Sequence, residues 1–329
     1  MDRPAYAPAM KHVAILDDYQ QVWDQYADWS GLDGHVTVTS FADHLFDEDS
    51  LAARLADFEI VVAMRERTPF PASLLDKLPQ LELLVTTGPF NAAIDIDHAA
   101  ARGVMMCGTG GAIFNTSELT WALILACARH VPAEDRNIKS GGWMTTVGSD
   151  LFGKTLGLCG AGRLGGIVAN VGKAFGMKLI AWSQNLTDER ANEIGAAKVD
   201  KDTLFRDADV LSIHQVLSDR TRHLVGAREI GLMKPSAILV NTSRGPIVDE
   251  LALADALRAR TIRSAGIDVF SVEPLAADHP FRSLDNIVTT PHLGYVTEGC
   301  YEVFYRDIVE DIAAWLNGAP VRLVQPAPK

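Results

Sequence analysis

Short apolar runs alternate with stretches of helical spacing along the whole chain. In the first third, "HVAIL", "HVTVTS", "EIVVAM", "LELLVTT" and "VMMC" read as strands, and "QQVWDQYADW" and "EDSLAARLA" between them read as helices. After Gly153 a second series begins, with "KTLGLCG", "KLIAW", "DVLSIH", "AILVNTS", "SAGIDVF" and "NIVTTPH" as its strands. Helical segments such as "EIGLM" and "ELALADALRA" separate them. Strands that alternate with crossover helices imply parallel sheets with both faces covered, so the pattern predicts an α/β protein with doubly wound sheets. A long apolar helix over Ser117–His130, followed by a turn at Gly141–Trp143, is expected at the junction of the two series. The helical "YEVFYRDIVEDIAAWLNG" and a proline-rich tail close the chain, and this last helix is expected to return to the first domain.

Composition narrows the picture. A chain of 329 residues, 48% of them apolar, is long enough for two buried cores. With 30 Lys and Arg against 42 Asp and Glu, the net charge of −12 disfavours nucleic acid and anionic membranes as partners. Cys107, Cys127, Cys159 and Cys300 are scattered without metal-binding or disulfide spacing, which points to buried reduced thiols, no metal and a cytoplasmic protein. The N-terminal "MDRPAYAPAMKH" lacks an apolar export segment, and "LTWALILACA" is about half the length of a membrane span.

The candidate chemistry begins at "LGLCGAGRLGG". Gly160, Gly162 and Gly165 follow an apolar strand and open a helix at Arg163 and Leu164. There the first glycine allows a tight turn, the second lets the backbone approach a pyrophosphate, and the third allows close packing of helix on strand. Strand context on both sides makes this a dinucleotide site. The acid that usually grips the adenosine ribose, about 20 residues on, is replaced by Ser183 in "LIAWSQNLT". A serine can bond a 2′-hydroxyl and no arginine stands in the same turn, which favours NAD while leaving NADP open.

Later strands end in reactive side chains: Thr242 and Arg244 in "NTSRG", Asp268 and Glu273 in "GIDVFSVEP", and His292 in "TTPH". Ligands of open α/β sheets bind beyond the carboxyl ends of strands, so these groups face one crevice. Histidine exchanges protons near neutral pH, a carboxylate beside it orients the ring, and arginine offers a planar fork to a substrate carboxylate. The set suits hydride transfer at a secondary alcohol, with His292 as acid and base, Glu273 as its partner and Arg244 holding the substrate.

"GLCGAGRLGG", "LMKPSAILVNTSRGPIVDE", "AGIDVFSVEPL" and "TPHLGYVT" together closely resemble the D-isomer-specific 2-hydroxyacid dehydrogenases. That family includes D-3-phosphoglycerate dehydrogenase and glyoxylate/hydroxypyruvate reductase, and the likeness runs from about Val13 to about Leu316. The resemblance implies a Rossmann domain over 113–299 inserted into a flavodoxin-like substrate domain of 1–112 and 300–329. It also implies Arg244, Glu273 and His292 as the catalytic set, Asp268 near the nicotinamide carboxamide, Thr242 at the cofactor, and a homodimer. "AMRERT" is similar to the family's "RSRT", which implicates Arg65 in holding an anionic substrate. "TTGPFNAAID" resembles the loop whose N–H groups bind the substrate carboxylate, which implicates Phe90 and Asn91. It departs from that pattern, because Phe90 replaces a glycine and Pro89 has no N–H. Two other readings share this fold. Formate dehydrogenase carries glutamine where Glu273 stands, which argues against it, and an NAD(H)-sensing corepressor would retain the same trio.

Overall fold

The computed structural model describes residues 10–325. Most of the N-terminal stretch read for export, and the end of the proline-rich tail, lie outside that range. The chain forms two compact units, Met1–Ala112 with Thr297–Lys329, and Ile113–Val296.

The first unit carries β1 (Lys11–Ile15), β2 (Val36–Ser40), β3 (Ile60–Ala63), β4 (Leu83–Thr86) and β5 (Met105–Gly108), all paired in parallel in the order β2-β1-β3-β4-β5. This is the flavodoxin-like order, in which the crevice falls where the winding reverses, between β1 and β3. Every residue of β3 and β4 is buried, as a central parallel strand covered on both faces requires. Ala14, Val61, Leu84 and Met106 pack against Phe70, Leu74 and Leu75 in one core. The helix Glu298–Leu316 also belongs to this unit, and the Leu323–Val324 segment pairs with the edge strand β5.

The second unit carries β6 (Thr155–Cys159), β7 (Lys178–Trp182), β8 (Ala197–Lys198), β9 (Val210–Ile213), β10 (Ile238–Asn241), β11 (Ser264–Ile267) and β12 (Ile287–Thr289). Their order is β12-β11-β10-β9-β6-β7-β8, again all parallel, with the reversal between β6 and β9. Side chains alternate across the sheet: Ile238 and Val240 enter one apolar layer with Trp121 and Ile124, while Leu239 enters the other with Phe205 and Leu253. No helix among the described residues is long and apolar enough to cross a membrane.

Three local readings differ from what forms. The segment Gln20–Trp29 is not helical: Gln21 is left-handed, with φ of 55°, and Asp18 Oδ1 accepts the Val22 N–H at 3.1 Å in a side-chain-closed turn. Its periodic aromatics instead pack edge to face, Trp23 on Trp29 at 5.0 Å. The two-residue β8 gave no apolar signal because both of its residues are exposed. The long helix of the junction runs over Asn115–Arg129, within the second unit, and stops at the left-handed His130, after which Pro132 starts a separate helix over Val131–Lys139.

Candidate active site

The glycine loop lies between β6 and the helix Arg163–Ala174. Gly160 has φ of 107°, and a side chain there would strike the His214 carbonyl; one at Gly165 would strike the Gly160 carbonyl. Both glycines thus serve close packing. At Gly162, by contrast, a Cβ would meet nothing within 4 Å, so the helix cap opens onto free space. The N–H groups of Arg163, Leu164 and Gly165 have no partner within their own helix, because they form its first turn. An open cap with converging N–H donors and a positive dipole end fits the pyrophosphate of a dinucleotide. Ser183, expected at the ribose, directly follows β7 and is half-buried. The Thr242 hydroxyl is buried against Thr120 Oγ1 at 2.8 Å, so its side chain ties β10 to the helix Asn115–Arg129.

Beyond the ends of β10, β11 and β12 stand Arg244, Glu273 and His292. Two of them touch: His292 Nδ1 lies 2.6 Å from Glu273 Oε2, with the imidazole 14% and the carboxylate 22% exposed. The second oxygen, Oε1, accepts the Phe270 N–H at 2.8 Å, which fixes the carboxylate plane. A carboxylate only accepts, so Nδ1 carries the hydrogen of this pair and Nε2 is left as the exchanging nitrogen. Tyr295 packs its ring edge to face on the imidazole at 5.4 Å.

His292 is left-handed, with φ of 55°, and its turn is built around Asp268. Asp268 is fully buried; its Oδ1 accepts the Thr290 hydroxyl and the Leu293 N–H, both at 2.7 Å, and its Oδ2 accepts the Gly294 N–H at 3.0 Å. Burial pushes its carboxyl above the ordinary carboxylate range, against the pull of those three donors. The residue expected near the nicotinamide therefore has its carboxylate engaged in shaping the histidine turn. Arg244 follows β10, where Asn241 Nδ2 donates to its carbonyl at 3.0 Å and its own Nη1 donates to Ser243 O at 2.8 Å. The next residue, Gly245, packs so closely on the Phe270–Ser271 backbone that a side chain would overlap it. The arginine turn and the glutamate turn are thereby held backbone to backbone. Sequence reading passed over Gly245, whose only signal is a glycine directly after a strand-end arginine.

In the first unit, Arg65 follows β3 and Gly88 follows β4. Arg65 is left-handed, with φ of 53°; its N–H donates to Thr87 Oγ1 at 2.9 Å and its Nη1 to Thr87 O at 3.1 Å. A side chain at Gly88 would run into that guanidinium. Asn91 is fully buried, its amide donating to Arg65 O at 2.6 Å and Thr86 Oγ1 at 2.9 Å. Its side chain thus braces the loop, while Phe90 stands 56% exposed beside it. No group of three or more metal-ligating side chains occurs among the described residues.

Comparison with known proteins agrees with this architecture. Residues 121–294 match the D-isomer specific 2-hydroxyacid dehydrogenase NAD-binding domain. A glyoxylate reductase of Aeropyrum pernix is 40% identical over 262 residues, covering 76% of this chain and 78% of its own. A D-3-phosphoglycerate dehydrogenase of Archaeoglobus fulgidus is 36% identical over 83% of this chain, which spans 52% of that longer protein. The crystal structure of a phosphoglycerate oxidoreductase from Vibrio cholerae superposes with a TM-score of 0.90 at 37% identity, over 94% of this chain and all of that one. An open glycine cap on a Rossmann sheet, a paired histidine and glutamate beyond its later strands, and these likenesses lead to one assignment: the chain belongs to the D-isomer-specific 2-hydroxyacid dehydrogenases, a family of NAD-dependent oxidoreductases.

Proposed function

We propose that this enzyme interconverts a small 2-keto acid and its D-2-hydroxy acid, with His292 as acid and base, Glu273 orienting it and Arg244 binding the substrate carboxylate. The observation that carries the reading is the 2.6 Å pair of His292 Nδ1 and Glu273 Oε2. Held by that bond, the ring presents Nε2 to a substrate oxygen: in reduction it delivers a proton to the keto oxygen, and in oxidation the neutral ring takes the hydroxyl proton. The Arg244 guanidinium offers parallel N–H donors to the carboxylate and stabilises charge developing on the neighbouring oxygen. The bound nicotinamide supplies or accepts the hydride. Its pyrophosphate would be held by the N–H groups at the start of the helix, from Gly162 through Arg163 and Leu164 to Gly165, and its ribose by Ser183; Gly160 and Gly165 shape the turn, while Asp268 and Thr242 would support the site from behind by holding the histidine turn and tying β10 to its neighbouring helix.

In the first unit Arg65 and the backbone beside Phe90 and Asn91 contribute to substrate binding. The names of the Aeropyrum and Archaeoglobus relatives support glyoxylate, or D-3-phosphoglycerate and its keto acid, as the substrate class. All four cysteines are free and buried, which supports a cytoplasmic enzyme.

Glyoxylate, hydroxypyruvate, pyruvate, phenylpyruvate and 3-phosphohydroxypyruvate, each assayed with NADH and NADPH, identify the acid and cofactor. Replacing His292 by alanine is expected to lower turnover at least about a hundredfold with NADH affinity retained. Unchanged turnover would remove His292 from the mechanism.

A further inference from the structure

The glycine loop contains one glycine more than its fingerprint needs. Gly166 follows Gly165, inside the helix, where glycine costs about 1 kcal/mol relative to alanine. Its neighbour explains it. Arg190, on the short helix Asp188–Glu193 that follows β7, lies against Gly166, and a Cβ there would stand 2.9 Å from Nη2 and 3.2 Å from Ile194 Cγ2. The bare glycine makes the seat in which the guanidinium lies.

From that seat Arg190 reaches back under the loop. Nε donates to Ala161 O at 2.8 Å and Nη2 to Gly162 O at 3.0 Å, while Nη1 pairs with Glu193 Oε2 at 2.9 Å. Two successive carbonyls are therefore pulled to one side by a single rigid fork. In a trans planar peptide the carbonyl and the next N–H point in opposite directions, so fixing Ala161 O and Gly162 O aims the N–H groups of Gly162 and Arg163 at the other side. Successive N–H groups turned one way make an anion-binding nest. Gly162 O also accepts the Gly166 N–H at 3.0 Å, so the same carbonyl closes the first helical turn. Arg190 is itself anchored, its backbone N–H capped by Thr187 Oγ1 at 3.2 Å.

We infer that Arg190, seated on Gly166, is a positioning residue for the cofactor: by clamping the Ala161 and Gly162 carbonyls it orients the N–H groups that receive the pyrophosphate. Three of its five N–H donors are thereby engaged, two on the loop carbonyls and one on Glu193.

Arg190→Met keeps the aliphatic stem and removes the fork. Its NADH dissociation constant, read by fluorescence, and that for ADP-ribose, read by calorimetry, are each expected to rise about tenfold, as loss of charge-assisted hydrogen bonds implies. Competitive inhibition by adenosine, which has no pyrophosphate, is expected to stay within about twofold. The KM for NADH rises in step, while kcat at saturating NADH changes less than about twofold. Gly166→Ala is expected to give the same ligand-selective loss by unseating the fork, and the double variant to bind no worse than Arg190→Met alone, since both changes remove one interaction. Arg190→Lys, which keeps the charge but lacks the rigid planar fork, falls between. Unaltered NADH and ADP-ribose binding in any folded member of this series, or an equal loss of adenosine inhibition, overturns the assignment.

Discussion

Asp268 carries the backbone of His292: the histidine N–H donates to the Asp268 carbonyl at 2.7 Å, and the carboxylate of Asp268 accepts the next two N–H groups of the turn, from Leu293 and Gly294. The turn holds a non-glycine residue in the left-handed region, a conformation that costs about 1 kcal/mol or more and persists only where its surroundings impose it. Asp268 supplies that imposition, while Glu273 sets the direction of the ring.

Asp268→Asn leaves one acceptor oxygen where the turn needs two. The variant is expected to lose about 2 kcal/mol of stability in denaturant unfolding, and turnover is expected to fall more than tenfold as the imidazole loses its fixed position. Full activity with unchanged stability would show that the turn holds itself.

Asp311 gives a pH dependence of stability. It is fully buried in the first unit, where Arg322 Nε donates to Oδ1 at 3.0 Å, and burial pushes its carboxyl to about 7 against the pull of that arginine. Below its ordinary value of 3.8 both the folded and unfolded chains hold the proton; between there and about 7 the folded chain keeps a proton that the unfolded chain releases. Folding is thus favoured at low pH and loses that contribution as pH rises through the folded value. Measured by urea unfolding, the stability of the parent protein relative to Asp311→Asn is expected to fall by roughly 1–4 kcal/mol from pH 4 to pH 7 and to level off above. A flat or rising difference would contradict the assignment.

In the second unit an apolar segment faces outward: Trp143 is 73% exposed, Val147 89% and Phe152 82%, with Met144 among them. Clustered exposed apolar side chains of this size mark an interaction surface, and a second copy of the chain is the proposed partner. Sedimentation velocity is expected to show a dimer that dissociates more readily in the Trp143→Glu, Phe152→Glu double variant. A parent protein that sediments as a monomer at micromolar concentration would refute it.

Much of the architecture was legible in the sequence because both sheets are parallel and buried on both faces. Strands such as "IVVA", and "ILV" within β10, are continuous apolar runs, and the side chains ending the later strands stand out against them. The segment Gln20–Trp29 has helical spacing, but Asp18 and the left-handed Gln21 stop any helix there. The glycine fingerprint and the histidine with its glutamate were readable as types and order. What holds them was not. Gly245 against Phe270, Asp268 beneath His292 and Arg190 on Gly166 are contacts between turns far apart in sequence, and no local spacing encodes them.

The pairing of Arg65 with Gly88 bears on redesign. The guanidinium fills the volume that any larger residue at position 88 would need, and it reaches that place through a bond to the carbonyl of Thr87. Neither position can be exchanged by itself: a bulkier residue at 88 evicts the arginine, and a shorter one at 65 leaves a gap under the turn. Under the proposed role of these loops in substrate binding, retargeting the enzyme to another acid calls for exchanging both loops together.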